Sequence, residues 1–185
     1  MLTIVDMQPH FFNARSPALQ DEIVLLIEEA KRNNSPILFL RYATFGAVAS
    51  RLLDAVKDYD EVYHTDKNHD NGSPEVLEVL DYCRLKPAKI SVCGINTGAC
   101  VLKTARGIAI KRPNIIVEVI ARGCNQALDT VWAQFHRTDI PNLVTVPPRT
   151  CGVLLDSLEV KRACANFSKD SPRDNHHRRS DHASL

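Results

Sequence analysis

Hydrophobic positions along this chain follow two rhythms in turn, and the alternation predicts its elements. Compact apolar runs rich in β-branched residues read as buried strands at Leu2–Val5, Ile37–Tyr42, Ile90–Gly94, Ile115–Ala121 and Leu143–Val146. A weaker run predicts a third strand over Glu61–His64. Between the runs, apolar residues recur at helical spacing. Leu19, Ile23, Leu26, Ile27 and Ala30 share one face of a predicted helix, and Asp21, Glu22, Glu28, Glu29, Lys31 and Arg32 fall on the other. Asn33-Asn34-Ser35-Pro36 then breaks it. Further helices are predicted over Ala47–Lys57, from Ser73 to about Leu85, from Thr97 to Lys111, over Ala127–Phe135 and over Gly152–Asn166. Ser73-Pro74-Glu75 reads as a cap, a first-turn proline and an acidic first turn, and Thr97 reads as a cap.

Strands alternating with amphipathic helices imply a parallel sheet covered on both faces. Right-handed crossovers then give an α/β, three-layer α/β/α domain with a six-stranded, mostly parallel, Rossmann-like sheet. This domain is expected to span residues 1–167. From residue 168 to 185 the sequence SKDSPRDNHHRRSDHASL has no apolar period and reads as a disordered polar tail. His176-His177 within it reads as solvated rather than metal-binding.

Composition narrows the class. In 185 residues, 44% are hydrophobic and 24% charged, with a net charge of +1. That balance suits a globular protein and predicts neither a nucleic-acid partner nor a membrane partner. The opening MLTIVDMQ reads as a first strand rather than a secretory leader. Cys83, Cys93, Cys100, Cys124, Cys151 and Cys164 contain no C-x-x-C spacing. Reduced thiols and a cytoplasmic location are therefore expected.

Candidate chemistry concentrates at strand ends. In ISVCGINTGACVLKT, Gly94 ends a strand and Cys100 falls in the first turn of the helix that follows. The positive end of a helix there is expected to favour thiolate and lower the thiol's pKa. Backbone N–H groups of the same turn could hold an oxyanion. Asp6 follows the first strand and Lys67 the third, and strands one and four commonly flank the switch point of such a sheet. A carboxylate can take the thiol proton and return it to a leaving amine, while an ammonium keeps that carboxylate ionised. The run His64, Asp66, His69 and Asp70 has metal-ligand composition without ligand spacing, and reads as a wet loop. Cys124 and Cys151, also past strand ends, read as core or pocket lining, and the other cysteines as structural. Gln8, Phe11 and Tyr42 are candidate substrate-binding residues by topological placement.

The opening IVDMQPHFF resembles the hydrophobic-D-x-Q-x-x-F start of the isochorismatase-like cysteine hydrolases. CGINTGACVLKTA is similar to their G-[VI]-x-T-x-x-C-V-x-x-T-A signature, and Lys67 matches their lysine in order and position. The resemblance covers roughly residues 1–155. It implies a catalytic triad of Asp6, Lys67 and Cys100, an oxyanion hole from the backbones of Ala99 and Cys100, and a cis peptide between Ile95 and Asn96. Two departures stand out. NHDNGS follows the lysine where members often carry an aromatic residue. RYATFG stands where nicotinamidases carry a D-x-H…H metal motif. The expected protein is a cysteine-dependent hydrolase of a small amide or related C–N bond, with no metal or other cofactor and a small-molecule substrate. A homo-oligomer is expected because members commonly assemble. The competing readings are an isochorismatase-type vinyl-ether hydrolase and a non-catalytic binder or scaffold on the same fold.

Overall fold

The computed structural model describes residues 1–125 and 140–147. In chain order the elements are β1 (Leu2–Val5), α1 (Pro17–Arg32), β2 (Ile37–Tyr42), α2 (Ser50–Val56), β3 (Val62–Lys67), α3 (Ser73–Tyr82), β4 (Lys89–Gly94), α4 (Leu102–Lys111), β5 (Ile116–Cys124) and β6 (Leu143–Val146). A 3₁₀ turn at Phe12–Arg15 precedes α1, and a π turn at Thr97–Val101 precedes α4. The expected helices over Ala127–Phe135 and Gly152–Asn166, the 168–185 tail, Cys151 and Cys164 lie outside the described residues. Among the described residues, no helix is long and apolar enough to cross a membrane.

The strands form one six-stranded sheet in the order β3-β2-β1-β4-β5-β6. Every pair is parallel. Chain direction across the sheet reverses between β1 and β4, so the crevice beyond their carboxyl ends is where such folds place ligands. Helices cover both faces. One core joins Ile23, Ile27, Leu52, Ile4 and Phe39 beneath α1 and α2. The other joins Val76, Leu80, Ala105, Ile108, Leu38 and Val92 beneath α3 and α4. The two sets come from alternate positions of the same strands, as the two-residue period of a doubly covered sheet requires.

The element starts show where local pattern succeeds. Ser16 caps α1 by accepting from the Leu19 N–H at 3.4 Å, and Pro17 occupies the first turn. Two expected caps are corrected. Gly72, not Ser73, precedes α3, and Ser73 lies inside the helix, buried. Thr97 opens a π turn, and its hydroxyl donates to Asn125 Oδ1 at 3.0 Å instead of capping α4. The third strand also runs further than expected, ending on Lys67. Its alternating burial holds Tyr63 partly against the core while polar neighbours face outward, so it was weak as a hydrophobic signal.

Candidate active site

Three strand ends converge. Asp6 follows β1 with φ 54°, and its N–H donates to Leu40 O at 2.9 Å. Left-handed backbone at an aspartate is tolerable but uncommon, and it occurs where structure around it fixes a side chain for use. The carboxylate is 1% exposed. Lys67, the last residue of β3, is paired in register with Tyr42 at the end of β2. Its side chain therefore passes over β2 towards β1. The ammonium lies 2.8 Å from Asp6 Oδ2, donates to His69 O at 3.1 Å, and sits 4.3 Å from the centre of the Tyr42 ring. A buried cation is tolerated only with such a set of partners. Gly72 lets the following loop close over the lysine stem, because a Cβ there would overlap Leu40 and Lys67 side chains.

The thiol arrives from β4. Gly94 has φ 116°, and a Cβ on it would lie on the backbone of Val5. Only glycine permits the close approach that brings the turn after β4 against β1. The Ile95–Asn96 peptide is cis. In the π turn beyond, Asn96 O accepts from both the Ala99 and Val101 N–H groups at 3.1 Å. Thr97 N–H donates to Asn125 Oδ1 at 3.1 Å, tying the turn to the end of β5. Cys100 is buried, and its Sγ donates to Asp70 Oδ1 at 3.8 Å while also interacting with the Asp6 carboxylate.

Electrostatics overturn one expectation. The Cys100 thiol is not acidified but pushed up to about 11, first by burial and then by the charge and hydrogen bonding of Asp6. Lys67 and a backbone hydrogen bond from Asn96 pull it the other way without prevailing. A helix dipole contributes a fraction of a charge. A whole carboxylate beside a desolvated sulfur outweighs it. Asp6 itself is raised from its ordinary value by burial, against the opposing pull of Lys67 and Cys100. The resting site is thus a neutral thiol beside an ion pair.

The three expected binding residues have distinct placements. Gln8 is fully buried, accepts from Tyr42 N–H at 2.7 Å, and donates to Tyr42 O and Gly46 O at 2.9 and 2.7 Å. With its amide so engaged, it acts as a strut for the loop after β2. Tyr42 bears on Lys67, as above. Phe11 meets Phe45 edge-on at 4.9 Å, and Phe45 stacks on His10 at 4.4 Å and lies 5.2 Å from Tyr42. RYATFG thus builds an aromatic wall beside the lysine.

The acidic loop also disperses. Asp66 pairs with Arg41 at 2.8 and 3.1 Å, His64 stacks on Phe39, and His69 lies 3.8 Å from Glu75. Among the described residues, no group of three or more His, Cys, Asp or Glu could hold a metal. Asp70, read from the sequence as part of a wet loop, lies beside the thiol instead. Its Oδ2 is 2.7 Å from Lys103 Nζ, and Lys103 holds its carboxyl below the ordinary value. The available signal was helical spacing, since Lys103 follows Cys100 by one turn. Cys83, Cys93 and Cys124 are free thiols, and burial pushes Cys124 up to about 12.

A family model described as the isochorismatase domain matches residues 1–138. A nicotinamidase from Staphylococcus aureus superposes with a TM-score of 0.61 at 20% identity, covering 78% of this chain and 97% of its own. An N-carbamoylsarcosine amidase from Thermoplasma acidophilum gives 0.61 at 16% identity, covering 82% and 98%. The MAR1 ribonuclease from Caenorhabditis elegans gives 0.65 at 16% identity, covering 97% and 95%. These likenesses establish the fold. No curated protein matches by sequence.

Proposed function

The chain belongs to the isochorismatase family, and on that footing we propose that it is a cysteine-dependent hydrolase opening a small amide or related C–N bond. The observation that carries this reading is the buried Asp6–Lys67 pair, 2.8 Å apart, set against a thiol held neutral. Burial raises both the thiol, to about 11, and the carboxylate, so each holds a proton more readily than in water. A carboxylate so raised is a better acceptor for the thiol proton during attack. Two structural neighbours that bear amidase names support the choice of a C–N bond.

As Sγ bonds to the carbonyl carbon, Asp6 takes the thiol proton. It then gives that proton to the nitrogen as the C–N bond breaks, leaving a thioester on Cys100. Water cleaves the thioester and restores the thiol. Lys67 holds the carboxylate in place and offsets its charge. The Ala99 and Cys100 N–H groups serve as oxyanion donors, with Ala99 exchanging Asn96 O for the substrate oxygen.

The test is ammonia release from a panel of small primary amides, nicotinamide and N-carbamoylsarcosine among them. Cys100→Ala should lower turnover by about 10³-fold or more. Full activity in that variant would sink the acyl-enzyme, and cleavage of a vinyl ether by the wild-type protein with no ammonia released from any amide would favour the vinyl-ether reading, which needs no thiol. Binding of an amide with no turnover at high enzyme concentration would favour a non-catalytic binder.

A further inference from the structure

Asp6 is suited to the first half of the reaction and poorly placed for the second. Its carboxylate is 1% exposed and is held against Lys67. Once Cys100 is acylated there is no thiol proton, and the incoming water must come from solvent. The solvent-exposed carboxylate at the sulfur is Asp70, whose side chain is 46% exposed. Oδ1 is 3.8 Å from Sγ, and Oδ2 is fixed at 2.7 Å by Lys103. The carboxylate therefore bridges the nucleophile and an ammonium one helical turn along.

We propose that Asp70, clamped by Lys103, is a second working carboxylate of this site, serving hydrolysis of the acyl-enzyme where Asp6 serves its formation. This rests on the acyl-enzyme reading above. In the step, water oxygen bonds to the acyl carbon as the C–S bond breaks. Asp70 accepts the water proton and passes it to the departing sulfur, which ends as a neutral thiol. The relay is favourable because the final acceptor is a sulfur whose thiol sits at about 11. The charged and titratable groups facing Asp70 are Lys103 from α4, Lys67 from β3, Asp6 beyond β1 and Cys100 itself. Lys103 is the largest influence and lowers the Asp70 pKa, so the carboxylate remains available as an acceptor.

The two halves separate with p-nitrophenyl acetate, whose nitrophenolate burst reports acylation and whose steady rate reports deacylation. Peptide mapping places the acetyl group. Asp70→Ala should keep the burst and lower the steady rate roughly tenfold to a hundredfold, with acetyl-Cys100 accumulating. Asp70→Asn, which keeps an acceptor oxygen, should fall between that variant and wild type. Lys103→Met should shift the acidic limb of the steady rate to higher pH and leave that of the burst in place. A merely structural role would not separate those limbs. Equal losses in burst and steady rate, or no loss in either, would overturn the proposal while leaving the acyl-enzyme intact. Absence of acetyl-Cys100 in both the wild-type protein and Asp70→Ala would overturn both.

Discussion

Lys67→Met asks whether the buried ion pair serves stability or chemistry. Methionine keeps the length of the stem and removes the ammonium, leaving the Asp6 carboxylate, 1% exposed, with no cation beside it. Burial already raises Asp6 against the pull of Lys67. Without that pull, burial raises the carboxyl further. Removing one member of a buried pair costs roughly 3–5 kcal/mol. Against a total stability of about 5–15 kcal/mol, it is a large fraction.

The sign follows from linkage. A group whose folded pKa is raised contributes stability that is fully present below its unfolded pKa and lost as pH rises through the folded one. The Lys67→Met deficit should therefore shrink from pH 7 towards pH 5, by at most about 1.4 kcal/mol per unit. Asp6→Asn combined with Lys67→Met removes the buried charge altogether. It should recover much of the loss and flatten its pH dependence, yet remain inactive. Urea unfolding at three pH values reads this directly, as midpoint shifts at constant m. A neutral Lys67→Met, a deficit independent of pH, or a double variant weaker than Lys67→Met alone would refute the reasoning.

Two further outcomes follow from the same geometry. Alkylation of Cys100 by iodoacetamide, read by peptide mapping, should still be accelerating above pH 9, with a midpoint near 11. Asp6→Asn should bring that midpoint down, because the Asp6 carboxylate raises it. An unchanged profile in Asp6→Asn would show that the two groups do not meet. Gly94→Ala should cost about 3 kcal/mol or more, since φ 116° is strained for alanine and its Cβ would strike the Val5 backbone. Thermal unfolding unchanged by that substitution would contradict the packing of β4 against β1.

What was legible in the sequence depended on whether the signal was local. β-branched runs, with a break at Asn33-Asn34-Ser35-Pro36, were enough to place β1, β2, β4 and β6, and with them the switch point where Asp6 and Cys100 meet. The motif singled out Cys100, but not the acidity of its thiol. A cap and a helix end are visible over a few residues, whereas the carboxylate that raises the thiol comes from another strand. Lys67 shows the limit most clearly. TDKNHDNG has the composition of a solvated loop, yet its lysine is fully buried and its neighbours Asp66 and His69 face outward. A polar residue's role is set by what it faces across the sheet, and that partner is distant in sequence. Gln8 could be noticed from its motif but not recognised as a strut, because the groups it ties lie beyond β2. Asp70 and Lys103 are the reverse case. Asp70 lies outside the motif and Lys103 fills one of its unspecified positions, and only the fold brings the buried thiol, the exposed carboxylate and the lysine together. The signature thus marks the strand ends that converge, and the loop that departs from the family pattern brings an exposed carboxylate beside them.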